Sequence, residues 1–173
     1  MEFHNLGFNA YFYRASNAVA AGTTAINGTS IDMVGSFGGP FDGVCYIAAL
    51  GTLTASQVTT LKVQGSVDNS TWTGSNGDLL NTHQGPANDA DSNKLLITDG
   101  YRYQFRYLRP VLSRGTANAV LDSLIGIAYN AHSLPITTQD STVSVPAAGG
   151  SGMNGSGAAA PVNVVRYAGL GTA

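Results

Sequence analysis

Charge is scarce in this chain. Of 173 residues, 8 are Lys or Arg and 10 are Asp or Glu, so charged residues make up 10% and the net charge is −2. An ordinary soluble domain carries roughly 25% charged residues. A basic stripe that would release phosphate counterions is absent, so no direct nucleic-acid contact is expected. Cysteine is nearly absent too. Cys45 stands alone, which excludes an intramolecular disulfide and a multi-thiolate metal site, and its apolar surroundings predict a small buried hydrophobe, with a catalytic or crosslinking thiol as the alternative. Glu2 is the one glutamate. No apolar run approaches the roughly 20 residues needed to span a bilayer, so no membrane partner is expected. Met1-Glu2-Phe3-His4-Asn5 has no basic region ahead of an apolar one, and no signal peptide is expected.

Small residues and aromatics are plentiful instead. There are 22 glycines, 8 tyrosines, 6 phenylalanines and 1 tryptophan, and 43% of residues are hydrophobic. Disordered chains combine high charge with few aromatics, so the middle of this one folds. Three regions follow from the composition. Residues 1–25 read as an N-terminal arm, 26–140 as a β-sandwich domain, and 141–173 as a Gly/Ala-rich tail with a terminal strand.

The arm concentrates Phe3, Phe8, Tyr11, Phe12 and Tyr13. Either it packs over its own core or it docks on a neighbour, since aromatics give large contact area at low entropic cost. In the middle, Val44 to Leu50 reads as a buried strand bounded by Gly43 and Gly51. Val58 to Val67 is rich in β-branched residues, with Leu61, Val63 and Val67 toward a core. Residues 73–94 form a long polar excursion. Leu95 to Thr98 is a short strand, and Asp99-Gly100 a hairpin turn. The sharpest alternation follows: Tyr101, Tyr103, Phe105 and Tyr107 share one face of a predicted strand, while Arg102, Gln104 and Arg106 share the other. Ala119 to Tyr129 is the last core strand. In the tail, 146–161 reads as flexible linker. Val162 to Tyr167, with Val164 and Tyr167 as contact residues, reads as an isolated strand that must join a sheet of this subunit or of another. Seven to eight short strands without a long helix predict an all-β, antiparallel β-sandwich, jelly-roll-like.

Few residues suggest chemistry. Asp89 and Asp91 resemble half of a calcium loop, but the glycine at the sixth position and the acid at the twelfth are missing. Asp42, Asp68, Asp78 and Asp99 lie beside turn residues, where aspartate caps backbone N–H groups. His4, His83 and His132 are isolated in sequence. No nucleophile elbow and no phosphate loop is present. No catalytic residue, no cofactor and no metal is expected. Four of the 8 basic residues, Arg102, Arg106, Arg109 and Arg114, fall within 102–114. They form either a polar face paired with local aspartates such as Asp99 and Asp122, or intersubunit contacts to carboxylates and carbonyls.

Three segments carry a resemblance. Gly51-Thr52-Leu53-Thr54-Ala55-Ser56-Gln57-Val58, then Gln64-Gly65-Ser66-Val67-Asp68-Asn69-Ser70, then Tyr107-Leu108-Arg109-Pro110-Val111-Leu112-Ser113-Arg114-Gly115-Thr116-Ala117-Asn118-Ala119-Val120 resemble small virion structural proteins of tailed bacteriophages and prophages. The resemblance covers residues 26–138. It implies a capsid decoration or cement protein, with a β-sandwich or jelly-roll fold and no catalytic residues to carry over. The implied partners are the major capsid protein and further copies of the chain, as a dimer or trimer. The implied location is the capsid surface, after assembly in the host cytoplasm. Phe8, Tyr11, Tyr13, Arg102, Arg106, Arg109, Arg114, Val164 and Tyr167 are then the expected interface residues. A tail, neck or fibre-attachment component is the related alternative. A carbohydrate-binding β-sandwich module, presenting Trp72 or Tyr101, is the more distant one.

Overall fold

Two stretches of 13 residues, Phe41–Leu53 and Ala119–Ala131, pair antiparallel along most of their length and form the centre of the molecule. The computed structural model describes residues 9–36, 39–72, 79, 84–133, 136, 139–143, 145–146 and 153–154. Within them the strands are β1 (Ala10–Ser16), β2 (Val19–Gly22), β3 (Ile26–Asn27), β4 (Ile31–Asp32), β5 (Phe41–Leu53), β6 (Thr59–Ser66), β7 (Gln84–Ala87), β8 (Leu95–Tyr101), β9 (Tyr107–Arg114) and β10 (Ala119–Ala131), followed by the short pair β11 (Val145–Pro146) and β12 (Met153–Asn154). Pro146 and β12 fall inside 146–161, the stretch expected to be flexible linker. No helix of the described residues is long and apolar enough to cross a membrane.

The first sheet has the order β1-β10-β5-β8, with β2 also on β10, and the second has β3-β9-β6-β7, with β4 also on β9. All strand pairs are antiparallel. Taking β1 with β2 and β3 with β4 as single positions, the sheets read 1-8-3-6 and 2-7-4-5. Successive strands therefore alternate between the sheets, apart from the β6-to-β7 step. This is an antiparallel β-sandwich with jelly-roll topology.

Alternation along each strand aims one set of side chains between the sheets. Val44, Tyr46, Leu50, Leu121 and Leu124 from the first sheet meet Leu61, Val63, Leu108 and Leu112 from the second, all fully buried. Each such aliphatic side chain contributes about 1.5–3 kcal/mol by leaving water. Val67 does not join them. It lies beyond the end of β6 and is 70% exposed.

Three expectations are corrected. Strand β1 pairs along β10, so residues 10–22 are an integral edge of the first sheet and not an arm. Gly43 and Gly51 do not bound a strand. Strand β5 runs through both, because a strand held by β10 on one side and β8 on the other tolerates glycine. Residues 101–109 are not one strand. Strand β8 continues through Asp99-Gly100 to Tyr101, Arg102 then takes a left-handed φ of 56°, and β9 starts at Tyr107 in the opposite sheet. The alternation survives as inside against outside: Tyr103 and Phe105 pack on the core while Arg102, Gln104 and Arg106 stay exposed. Phe105 lies against Gly65, where any side chain would strike its ring.

Candidate interaction surface

Strand β9 and the turn before it carry the four arginines, and the fold disperses them. Eight residues of strand span about 27 Å, so Arg106 and Arg114 reach opposite ends of the sandwich. Arg114 donates from Nε to the Thr24 carbonyl at 2.6 Å and from one terminal nitrogen to the Ala20 and Ala119 carbonyls, both at 2.9 Å. It ties β2 and β10 together and is corrected from a partner contact to an internal one. Arg109 donates to Gln64 Oε1 at 2.8 and 3.0 Å and stacks 4.2 Å above the Trp72 ring. That stacking covers one face of Trp72, one of the two aromatics that a carbohydrate platform would present, while the other, Tyr101, is exposed. Arg106 forks onto Asp32, with a shortest contact of 2.8 Å. Neither Asp99 nor Asp122 is its partner. Arg102 stays exposed, 5.1 Å over the ring of Tyr101.

Tyr11 and Tyr13 are also corrected. Their side chains point between the sheets, 7% and 3% exposed, because they fall on the inward positions of β1. Tyr11 donates to Asp140 at 3.3 Å, and burial together with that carboxylate pushes its phenol up to about 12. Phe8, Val164 and Tyr167 lie outside the described residues, as do His4, His83 and Asp78.

The acidic residues are occupied locally. Asp91 accepts from the Asn88 backbone N–H and from Lys94, closing a capping box around the short turn Asp89–Asp91. Asp68 accepts from the backbones of Ser70 and Thr71, as a turn aspartate should, and these bonds hold its carboxyl well below the usual range. Asp42 and Asp99 are strand residues instead. Asp42 pairs with His132 at 2.9 Å, and Asp99 accepts from Tyr129 at 2.7 Å. Among the described residues no group of three or more His, Cys, Asp or Glu is placed to hold a metal ion. A shallow cleft of about 250 Å³ opens at the loop end, lined by Met33, Phe41, Asp42, Arg102, Tyr103 and Phe105.

The outward faces of the two sheets differ in kind. Beyond the second sheet stand Thr60, Lys62 and Gln64 of β6 beside Arg109 and Ser113 of β9, the polar surface normal for an antiparallel sandwich. Beyond the first sheet the register sets Arg14, Ile125, Ile47 and Ile97 in one row across all four strands. The next row is Phe12, Ile127, Cys45 and Asp99. Ala49 and Leu95 extend the apolar area in the other direction. Leu95, Ile97 and Ile125 are 58%, 46% and 38% exposed. At the β1 margin a groove of about 240 Å³ runs between Phe12, Arg14, Ile125 and the Thr142-Val143 segment. Sequence patterning missed this surface, because an unbroken apolar run such as Val44 to Leu50 reads as buried on both sides. The available signal was the same lack of alternation in β5, β8 and β10 together.

No family model matches the chain, and no curated protein or solved structure matches it.

Proposed function

We propose that the protein is a non-enzymatic structural subunit of a virion, of the capsid decoration or cement type, which self-associates and binds the shell built by the major capsid protein. One observation carries this reading: the row Ile125–Ile47–Ile97 on the outside of a sheet, with Ile125 and Ile97 exposed and Ile47 half-buried between them. A contiguous apolar face left to water on the outside of a sheet points to a surface covered by a neighbour. The scarcity of charge points the same way, since solvating charge is least needed where subunits cover one another. The resemblance of residues 26–138 supplies the virion and the capsid surface as the setting. Many weak contacts repeated around a shell add up to firm attachment.

The experiment mixes the purified chain with shells assembled without it. Saturable co-sedimentation at a fixed ratio to the capsid protein, with a higher disruption temperature of the shell, is the expected result. Absence of binding to both unexpanded and expanded shells at low salt overturns the proposal. Binding to tails or necks and not to shells moves the subunit to the tail, neck or fibre-attachment role.

A further inference from the structure

We propose that the outer face of the first sheet is a self-association surface, closed by the same face of a second copy of this chain. The inference rests on the reading of that face as an assembly surface, and it names the occupant. Its charges are arranged for a twofold partner. Arg14 stands on β1 at one margin and Asp99 on β8 at the other, one row apart, with the isoleucines between them. Three strand spacings separate the margins by about 14 Å. A twofold axis lying between two facing sheets and running along their strands exchanges the margins. Arg14 of each copy then stands over β8 of the other, within a side chain's reach of Asp99, and Ile47 and Ile125 exchange places. Such an interface is isologous and closes on itself.

Each charge is positioned for this use. Arg14 is exposed and donates to Asn17 at 3.2 Å, and Asp99 is exposed and accepts from Tyr129. Among the described residues neither has an ion pair within the subunit. Facing sheets pack about 10 Å apart, which suits isoleucine against isoleucine. The apolar rows cover about 14 Å in each direction, well short of the roughly 800 Å² per partner of a standard interface. The dimer is therefore weak, with a dissociation constant in the micromolar range.

Sedimentation equilibrium of the full chain from about 1 to 500 µM tests it, a span set by the interface size. The wild type should show a monomer–dimer equilibrium. Arg14→Glu and Asp99→Arg, each alone, should raise the dissociation constant at least ~10-fold, and the double variant should return it to within about threefold of wild type. Leu95→Glu, an exposed position whose change leaves the core intact, should weaken association without touching either charge. A wild type monomeric throughout, or a double variant no tighter than the single ones, overturns the proposal. The former result assigns the face to the chain's own terminal residues or to a shell protein, and the latter removes the Arg14–Asp99 pairing on which the twofold arrangement rests. A dimer that never binds shells sinks the cement reading and keeps this one, whereas a monomer that binds shells through Leu95 does the reverse.

Discussion

The Tyr13 phenol donates a hydrogen bond of 2.9 Å to the Tyr46 phenol inside the core, across a glycine. Tyr13 of β1 and Tyr46 of β5 both pair with Gly126 of the strand between them. The rings meet edge to face at 84°, 6.4 Å between centroids. A methyl group on residue 126 would collide with the Tyr13 ring. Full burial pushes both phenols above their usual range, so the pair stays neutral.

Gly126→Ala should therefore destabilise the fold by about 1–3 kcal/mol through overpacking. Tyr46→Phe should cost about 1–3 kcal/mol, because the Tyr13 donor then has no acceptor in the core. Urea denaturation checks both. An alanine variant as stable as wild type would show that the row relaxes freely.

Asp32 and Arg106 form the second measurable contact, and it depends on pH. The Arg106 guanidinium, with the Val34 and Gly35 backbone N–H groups, holds the Asp32 carboxyl down at about 2. The unfolded chain binds this proton near pH 4, so the folded state is favoured above that pH and loses the advantage as pH falls toward 2. In Asp32→Asn this contribution is gone. The difference in melting temperature between wild type and variant should be largest above about pH 5 and shrink below it. A difference constant with pH refutes the assignment.

Arg114 gathers three carbonyls and so holds β2 to the sheet. Arg114→Ala should cost about 1.5–3 kcal/mol, the range for hydrogen bonds to a charged group. Hydrogen exchange of the amides of Val19–Gly22 should accelerate, while the centre of β10 stays protected. Unchanged exchange at β2 would show that the strand is held otherwise.

Trp72 is the single tryptophan, and it reports on its own contact. The Arg109 guanidinium 4.2 Å above the ring shields one face from water. Arg109→Ala should red-shift and alter its emission and cost about 0.5–1 kcal/mol, as a partly exposed cation–π pair does. An identical spectrum would mean that the stacking is not maintained in solution.

Much of the fold was legible in the residues, and the reason differs by element. Strands β6 and β10 were readable because β-branched residues alternate with polar ones or run unbroken between turns. Asp68 was readable as a turn aspartate, since capping is local. The 101–109 stretch misled because period-two patterning reports which side faces the core. It does not say whether the backbone's ladder partner changes, and here the chain leaves one sheet for the other. The arginines misled for a related reason: proximity in sequence along a strand is distance in space.

By itself the amino-acid order determined that this chain builds an all-β sandwich with a sparsely charged surface, because patterning, turn residues and composition act over a few positions. The tertiary structure alone decided where the functional candidates stand. Antiparallel register turned Tyr11 and Tyr13 inward, tied Arg106 and Arg114 to partners 74 and up to 94 residues away, and lined up Ile125, Ile47 and Ile97 on an outer face. Register is a property of strand pairs, and no single segment contains it.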